Sequence, residues 1–407
     1  MRTKNAPSPT IPQLSYRALY RSASKWLLGL NPRGLQVLMY PIAAFVAGLL
    51  WVNGPATCVA LAAGGAYTHD ALNRLLKGTR LGALVQMIAL TMVDREAGYL
   101  VIDDVTLDKA GEKMEGIAWL HSSTLGQKVL ALNPVVLGWT DGEVYIPVAF
   151  RFWKRPKERV KGKPSAEAFD GTAFKTKTQL AVDLLTWARQ RGFDPTAVLF
   201  DAFYLSSPVI HFLRKTDWHW VSRIKGNRNL RYKGKKFKPQ DWPRLAKPSK
   251  VRRKSRAPRL TRSIVAELHG WGPIRIIAVR HRHDAEVRYL AGSNTAWGRG
   301  RIEALYGHRW AIETSFRDTS QLLGLHDCQC RSFRAQENHV ALVFVAYQFL
   351  VRQGHRDETI GDVLKRLKAH AVVITHLPSI PRIHPVAKER RRKRQEGDGG
   401  RLLGSAA

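Results

Sequence analysis

The spacing of apolar positions along this 407-residue chain changes at about residue 97. Before that point the spacing is helical. Thr68 stands before Ala71, Leu72, Leu75 and Leu76, a capped amphipathic helix with Lys77 and Arg80 after it. Two readings stay open for it: the second helix of a helix-turn-helix, or an ordinary amphipathic helix. Residues 81–93 predict a further apolar helix. The run 35–52 is near membrane-spanning length, but it carries Pro41 and is followed at once by Asn53-Gly54-Pro55, so it reads as a buried helix.

From Gly98 the period becomes two. Residues 99–105, 117–120, 135–139 and 144–152 predict strands, with Thr140-Asp141-Gly142 as a hairpin-type turn. A helix over 175–192 follows, with Leu180, Leu184, Leu185 and Ala188 inward and Gly192 as its cap. Residues 197–201 predict a strand, 208–215 a helix and 218–223 a strand. Strands first, then strand–helix alternation, predict a mixed sheet covered by helices. Residues 225–262 are dense in Lys and Arg, and two strands, 264–268 and 274–279, flank Gly270-Trp271-Gly272-Pro273. A helix over 302–325 and an apolar helix over 338–352 close the core. The tail from Pro378 is proline-rich and then basic, and reads as disordered.

Lys and Arg total 66 against 32 acidic residues, a formal charge of +34. So large an excess implies a polyanionic partner. The interleaving of basic residues with Trp, Tyr and Phe favours nucleic acid over an anionic membrane surface. Three cysteines, Cys58, Cys328 and Cys330, are too few for a structural zinc cluster and argue against a disulfide framework. The N-terminal dozen residues lack the apolar core of a signal peptide. A reducing cytoplasm fits both facts. No Walker pattern occurs, and His281, His283 and Asp284 read as a polar strand end rather than a metal site.

The candidate chemistry lies in carboxylates. Two apolar runs end in aspartate, one at Asp103-Asp104 and the other at Asp201. In the helix over 302–325, Tyr306, Arg309, Glu313 and Ser320 recur at offsets of three, four and seven, which stack on one face, beside an apolar stripe of Trp310, Phe316 and Leu323. Two strands ending in aspartate and a helix bearing glutamate can place three carboxylates around a pair of divalent cations. A plainer reading of Arg309, Glu313 and Arg317 is a salt-bridge ladder at i, i+4, i+8. Asp103 and Asp104 compete for the first position. Alternation puts Asp104 on the side of Ile102 and Asp103 on the other.

These pieces resemble the DDE transposases of bacterial insertion sequences, and more narrowly the subgroup with a Tyr-x2-Arg-x3-Glu-x6-Lys signature. The chain has Tyr306, Arg309 and Glu313, with Ser320 in place of the lysine. Asp103 and the run Asp201-Ala202-Phe203-Tyr204 are similar to the family's two aspartate motifs, though Val105 replaces a threonine. The resemblance covers roughly residues 97–351.

It implies an α/β fold with a ribonuclease-H-like mixed sheet, flanking helices, a β-rich insertion and an N-terminal all-helical domain. The expected division is a helical DNA-binding domain over 1–96, the core over 97–224 and 286–370, a basic β insertion over 225–285 and a basic tail over 371–407. It implies Asp103, Asp201 and Glu313 as catalytic metal ligands for two magnesium ions, with manganese as substitute. Tyr306, Arg309 and Arg317 would contact DNA phosphates, as would Arg252, Arg253 and Lys254. The implied reaction is cleavage at transposon ends and strand transfer into target DNA, in the bacterial cytoplasm on the nucleoid. A homodimer on DNA is one assembly open to it; no membrane partner is expected. The competing expectations are a non-catalytic DNA-binding relative, which Ser320 keeps open, and a nuclease on the same core.

Overall fold

The computed structural model describes residues 16–31, 34–122, 125–245, 260–268, 270–280, 287–355 and 357–370. Helices come first: α1 (Tyr16–Gly29), α2 (Met39–Trp51), α3 (Cys58–Ala62), α4 (His69–Lys77) and α5 (Gly82–Leu90). Thr57 and Thr68 cap α3 and α4 by accepting the amide hydrogens of Ala60 and Ala71, which satisfies donors the first turn leaves over. The apolar run that contains α2 is buried, and no helix among the described residues is long and apolar enough to cross a membrane.

The chain then lays down β1 (Tyr99–Asp104), β2 (Leu107–Asp108), β3 (Ala118–Ser122), β4 (Gln127–Thr140), β5 (Tyr145–Trp153) and a small hairpin of β6 (Arg159–Val160) and β7 (Lys163–Pro164). Helix α6 (Lys177–Gln190) follows, opened by a capping box between Thr176 and Gln179. Next come β8 (Ala197–Phe200), α7 (Ser207–Lys215), β9 (Trp220–Arg223), β10 (Leu230–Tyr232), β11 (Lys235–Phe237), β12 (Leu260–Leu268), β13 (Gly272–Arg280) and β14 (Arg288–Gly292). Four helices end the described chain: α8 (Arg299–His308), α9 (Trp310–Leu323), α10 (Phe333–Gln353) and α11 (Ile360–His370).

One 12-stranded mixed sheet runs through the molecule in the order β11-β10-β12-β13-β14-β9-β8-β1-β4-β2, with β3 and β5 also paired to β4. Its centre is compatible with a ribonuclease-H-like core. There β4 is antiparallel to both β5 and β1, while β1, β8 and β9 are parallel. The strands predicted within the basic stretch extend this same sheet, because β14 joins β13 to β9.

Strand alternation sorts the two faces. Val101, Leu199 and Val221 enter one apolar core; Leu100, Ile102, Val198, Phe200 and Trp220 enter the other. Helices α6 and α7 cover the second face. The first face is covered by α5, α8, α9 and α10. The early helices α1, α2, α4 and α5 share that first core with α10, whose residues 340–346 are buried on every side.

The helix expected over 302–325 is two helices. Arg309 is the joint: its N–H bonds to the Tyr306 carbonyl and its own carbonyl accepts from Ile312, both three residues apart, a tighter turn than the α-helical four. The break also corrects the apolar stripe. Leu323 is buried and Phe316 packs against the core, but Trp310, first residue of α9, is 60% exposed.

Candidate functional site

Asp103 and Asp201 lie at the same level of the sheet. Ile102 pairs with Phe200 across the parallel strands β1 and β8, so each aspartate is one step beyond that pair, on strands spaced about 4.8 Å apart. Both continue the face of Val101 and Leu199, the face covered by α8 and α9. Arg309 at the joint reaches into this space. Its Nη1 donates to Asp103 Oδ2 at 2.9 Å, and its Nη2 donates to Glu313 Oε1 in the first turn of α9. Its guanidinium also lies over the Tyr306 ring, 5.2 Å from the centroid. Strand ends and helix joint therefore bring Asp103, Asp201, Tyr306, Arg309 and Glu313 together.

The neighbouring Asp104 points to the opposite face and is fully engaged there. Tyr204 OH donates to its Oδ1 at 2.7 Å; Asn133 Nδ2 and Lys177 Nζ donate to its Oδ2, each at 2.8 Å. That division follows from the alternation read in the sequence, and it favours Asp103 as the functional carboxylate. Asn133 and Lys177 carried no signal of their role in the sequence. Tyr204 did: it closes the run Asp201-Ala202-Phe203-Tyr204, which folds back because Asp201 Oδ1 accepts from the Phe203 amide at 2.8 Å.

Electrostatics mark the pocket as short of positive charge. Burial pushes the Asp103 carboxyl up to about 7; Arg309 works against this, and the charges of Asp104 and Asp201 add to it. Asp201 is raised as well, first by burial, with the amide of Phe203 and the charge of Arg309 opposing. Burial alone would lower the pKa of Arg309, but Tyr306, Asp103 and Glu313 around it hold it above its ordinary value. Its Nε is buried and finds no acceptor among the described residues.

The donor set suits a hard divalent cation, which takes carboxylate oxygens. The raised Asp103 and Asp201 carboxyls have repulsion that such a cation would relieve. As the side chains stand, no three His, Cys, Asp or Glu among the described residues are gathered closely enough to hold an ion. Arg309 lies between Asp103 and Glu313 in its stead. Of the alternative ladder, the Arg309–Glu313 rung is present, but Arg317 turns elsewhere: its Nε lies 3.7 Å from Asp318, and its side chain lines a separate cleft with Trp310, Thr314 and Gln321. Arg252, Arg253, Lys254, His281, His283 and Asp284 fall outside the described residues.

Beside Asp201 opens a cleft of about 850 Å³ lined by Phe203, Lys225, Arg228, Arg231, Lys236 and Trp271, among others. Arg228 stacks on Trp271, 4.6 Å from the ring centroid, and Phe203 is half exposed. Cations and aromatic faces in one groove are suited to a nucleic-acid strand.

A family model described as DDE superfamily endonuclease matches residues 42–286. The match contains Asp103, Asp104, Asp201 and the basic cleft, and ends before Tyr306, Arg309 and Glu313. No curated protein matches the chain significantly.

Proposed function

This chain belongs to the DDE superfamily endonucleases, and from that membership we propose that it is the DNA transposase of an insertion sequence, cutting at the element's ends and joining the freed 3′ ends to target DNA. The observation that carries the reading is that Asp103 and Asp201 follow one paired level of two adjacent parallel strands, with Arg309 bridging Asp103 to Glu313 at the start of a helix.

Asp103, Asp201 and Glu313 would hold magnesium, with manganese as a substitute. Two such ions, when bound, activate the attacking hydroxyl and stabilise the leaving oxygen of a phosphoryl transfer. The chain's own groups do the rest. Tyr306 and Arg309 would meet a phosphate of the cleaved end; the Arg309 guanidinium lies over the Tyr306 ring. The groove of Lys225, Arg228, Arg231 and Lys236 would carry the flanking strand beside Asp201. Arg252, Arg253 and Lys254 would add phosphate contacts, and Arg317 would touch DNA further along α9. The enzyme would act on nucleoid DNA in a bacterial cytoplasm, with a homodimer as the unit that holds two ends.

One observation favours a second reading. Arg309 already pairs with Asp103 and Glu313, and Ser320 lacks the charge the family places there. Both suit a relative that binds DNA without cutting it.

The experiment uses duplexes copied from the DNA flanking the gene, where terminal inverted repeats are expected. Magnesium-dependent nicking at the repeat ends, followed by joining to a plasmid, is the expected result. Nicking without joining would leave a nuclease. Binding without nicking, in magnesium and in manganese, would overturn both enzymatic readings.

A further inference from the structure

The strand beside Asp201 ends in a cation. Arg223 is the last residue of β9, and β9 is the parallel neighbour of β8. Phe200 of β8 pairs with Ile102 on one side and with Ser222 on the other. The next residues along these three strands are Asp103, Asp201 and Arg223. They follow one paired level, on strands about 4.8 Å apart. A hydrogen bond fixes the step between the last two, as Ser222 Oγ donates to the Asp201 carbonyl at 3.1 Å.

Alternation then aims the side chain. Val221 is buried in the core on the face covered by α8 and α9, while Trp220 belongs to the core on the other face. Ser222 follows Trp220, so Arg223 returns to the face of Val221, which is also the face of Asp103 and Asp201. Helix α8, which carries Tyr306, packs on β9 there. Val221 and Ser222 are buried, but Arg223 is exposed. Its guanidinium has no hydrogen-bond or ion-pair partner among the described residues, Asp201 included. Its charge does reach the Tyr306 hydroxyl, whose pKa burial pushes up, Arg309 draws down and Arg223 draws down further. Two residues on, Lys225 lines the basic cleft with Phe203 and Arg228. Arg223 thus stands where the row of aspartates gives way to that cleft.

We propose that Arg223 is a substrate-contacting residue of the cutting site, holding a phosphate of the cleaved strand beside Asp201. The inference rests on the transposase reading and adds to it a contact made from the sheet, where Tyr306 and Arg309 make theirs from the helices. A guanidinium keeps its charge at every working pH, and its fork of donors fits two oxygens of one phosphate. A plain solvated arginine at a strand end would have the same exposure, but it would contribute to no single phosphate more than to the next.

That difference is the test. Binding of the full-length protein to the end duplexes is measured in EDTA, so that nothing is cut. Arg223→Gln should keep the wild-type melting temperature, bind about tenfold more weakly and flatten the dependence of log K on log salt by about 0.9. Arg223→Lys should keep the slope and regain part of the affinity. Duplexes carrying one uncharged methylphosphonate, placed at each phosphate around the cut in turn, locate the contact. At one phosphate beside the cut the substitution should weaken the wild type and leave Arg223→Gln unaffected. Methylphosphonate losses that match in the two proteins at every phosphate would overturn the assignment. So would an unchanged salt slope, or a lowered melting temperature in Arg223→Gln, which would make the residue structural. Nicking of the same ends by the wild type, assayed separately in magnesium, would leave the transposase reading standing in each of those cases. A wild type that bound no end duplex would overturn both.

Discussion

Arg309 sits between Asp103 and Glu313 and is hydrogen-bonded to both, so one cation facing these carboxylates is part of the chain. It is one of the least exposed charged groups at the site, at 11%. Removing one member of a buried ion pair leaves the other charge uncompensated, which costs more than the pair is worth.

The first prediction follows from that asymmetry. Arg309→Ala should destabilise the metal-free protein by about 3 kcal/mol. Magnesium should then raise its melting temperature more than that of the wild type, because the carboxylates no longer have a resident cation. Thermal melts of both proteins with and without magnesium chloride measure this. Equal magnesium shifts would show that Arg309 does not stand where the cation binds.

Three acidic residues should separate into two classes. Asp201→Asn and Glu313→Gln should abolish end cleavage and leave DNA binding intact, since each amide keeps the shape and loses the charge. Asp104→Asn should act on folding, because Asp104 is consumed by Tyr204, Asn133 and Lys177. Tyr204→Phe removes one of those charge-assisted hydrogen bonds and should cost about 1.5–3 kcal/mol. Denaturant melts paired with nicking assays check both halves. Normal cleavage by the Glu313 variant with magnesium would remove that residue from the metal site.

Acidity gives a third test. The Asp103 carboxyl moves from 3.8 when free to about 7 in the folded protein. A raised carboxyl binds its proton more tightly when folded. Between those two values the native state therefore holds more protons than the unfolded chain, and stability falls as pH rises. Asp201 is raised in the same direction and adds to the slope. Asp103→Asn cannot titrate, so its melting temperature relative to wild type should improve steadily from pH 4 to pH 8. Parallel curves for the two proteins would place Asp103 in a setting that does not disfavour its charge.

Much of this site was legible in the sequence because period-two alternation is a local property. Ile102 and Phe200 had to face away from Asp103 and Asp201 if both strands were buried, and that alone separates Asp103 from Asp104. The break at Arg309 was not legible. Apolar positions run on at helical spacing through 302–325, and what marks the joint is a pair of backbone hydrogen bonds, with an arginine drawn between two carboxylates. The extension of the sheet by β10, β12 and β13 was hidden for another reason: their edge pairing depends on β14, a strand the charge-rich stretch gave no cause to expect.

Ser320 carries the last prediction. The neighbouring Arg317 does not stand in for the missing lysine, because its guanidinium lies 3.7 Å from Asp318. Ser320 Oγ lies instead 3.1 Å from His326 Nε2, whose Nδ1 is 2.6 Å from Asp108. This serine therefore ties the end of α9 to the segment that follows and supplies no charge of its own. Two turns along the helix from Glu313, a lysine at this position has the length to leave that network for solvent. Ser320→Lys should be tolerated, with a melting temperature close to wild type, since the site is only partly buried. It should bind end DNA more tightly and steepen the dependence of log K on log salt by about 0.9, the value of one added phosphate contact on a duplex. Binding titrations over a range of potassium chloride measure the slope. An unchanged slope would mean that position 320 faces away from the DNA, and that serine in place of the lysine of the resembled signature has no bearing on DNA binding.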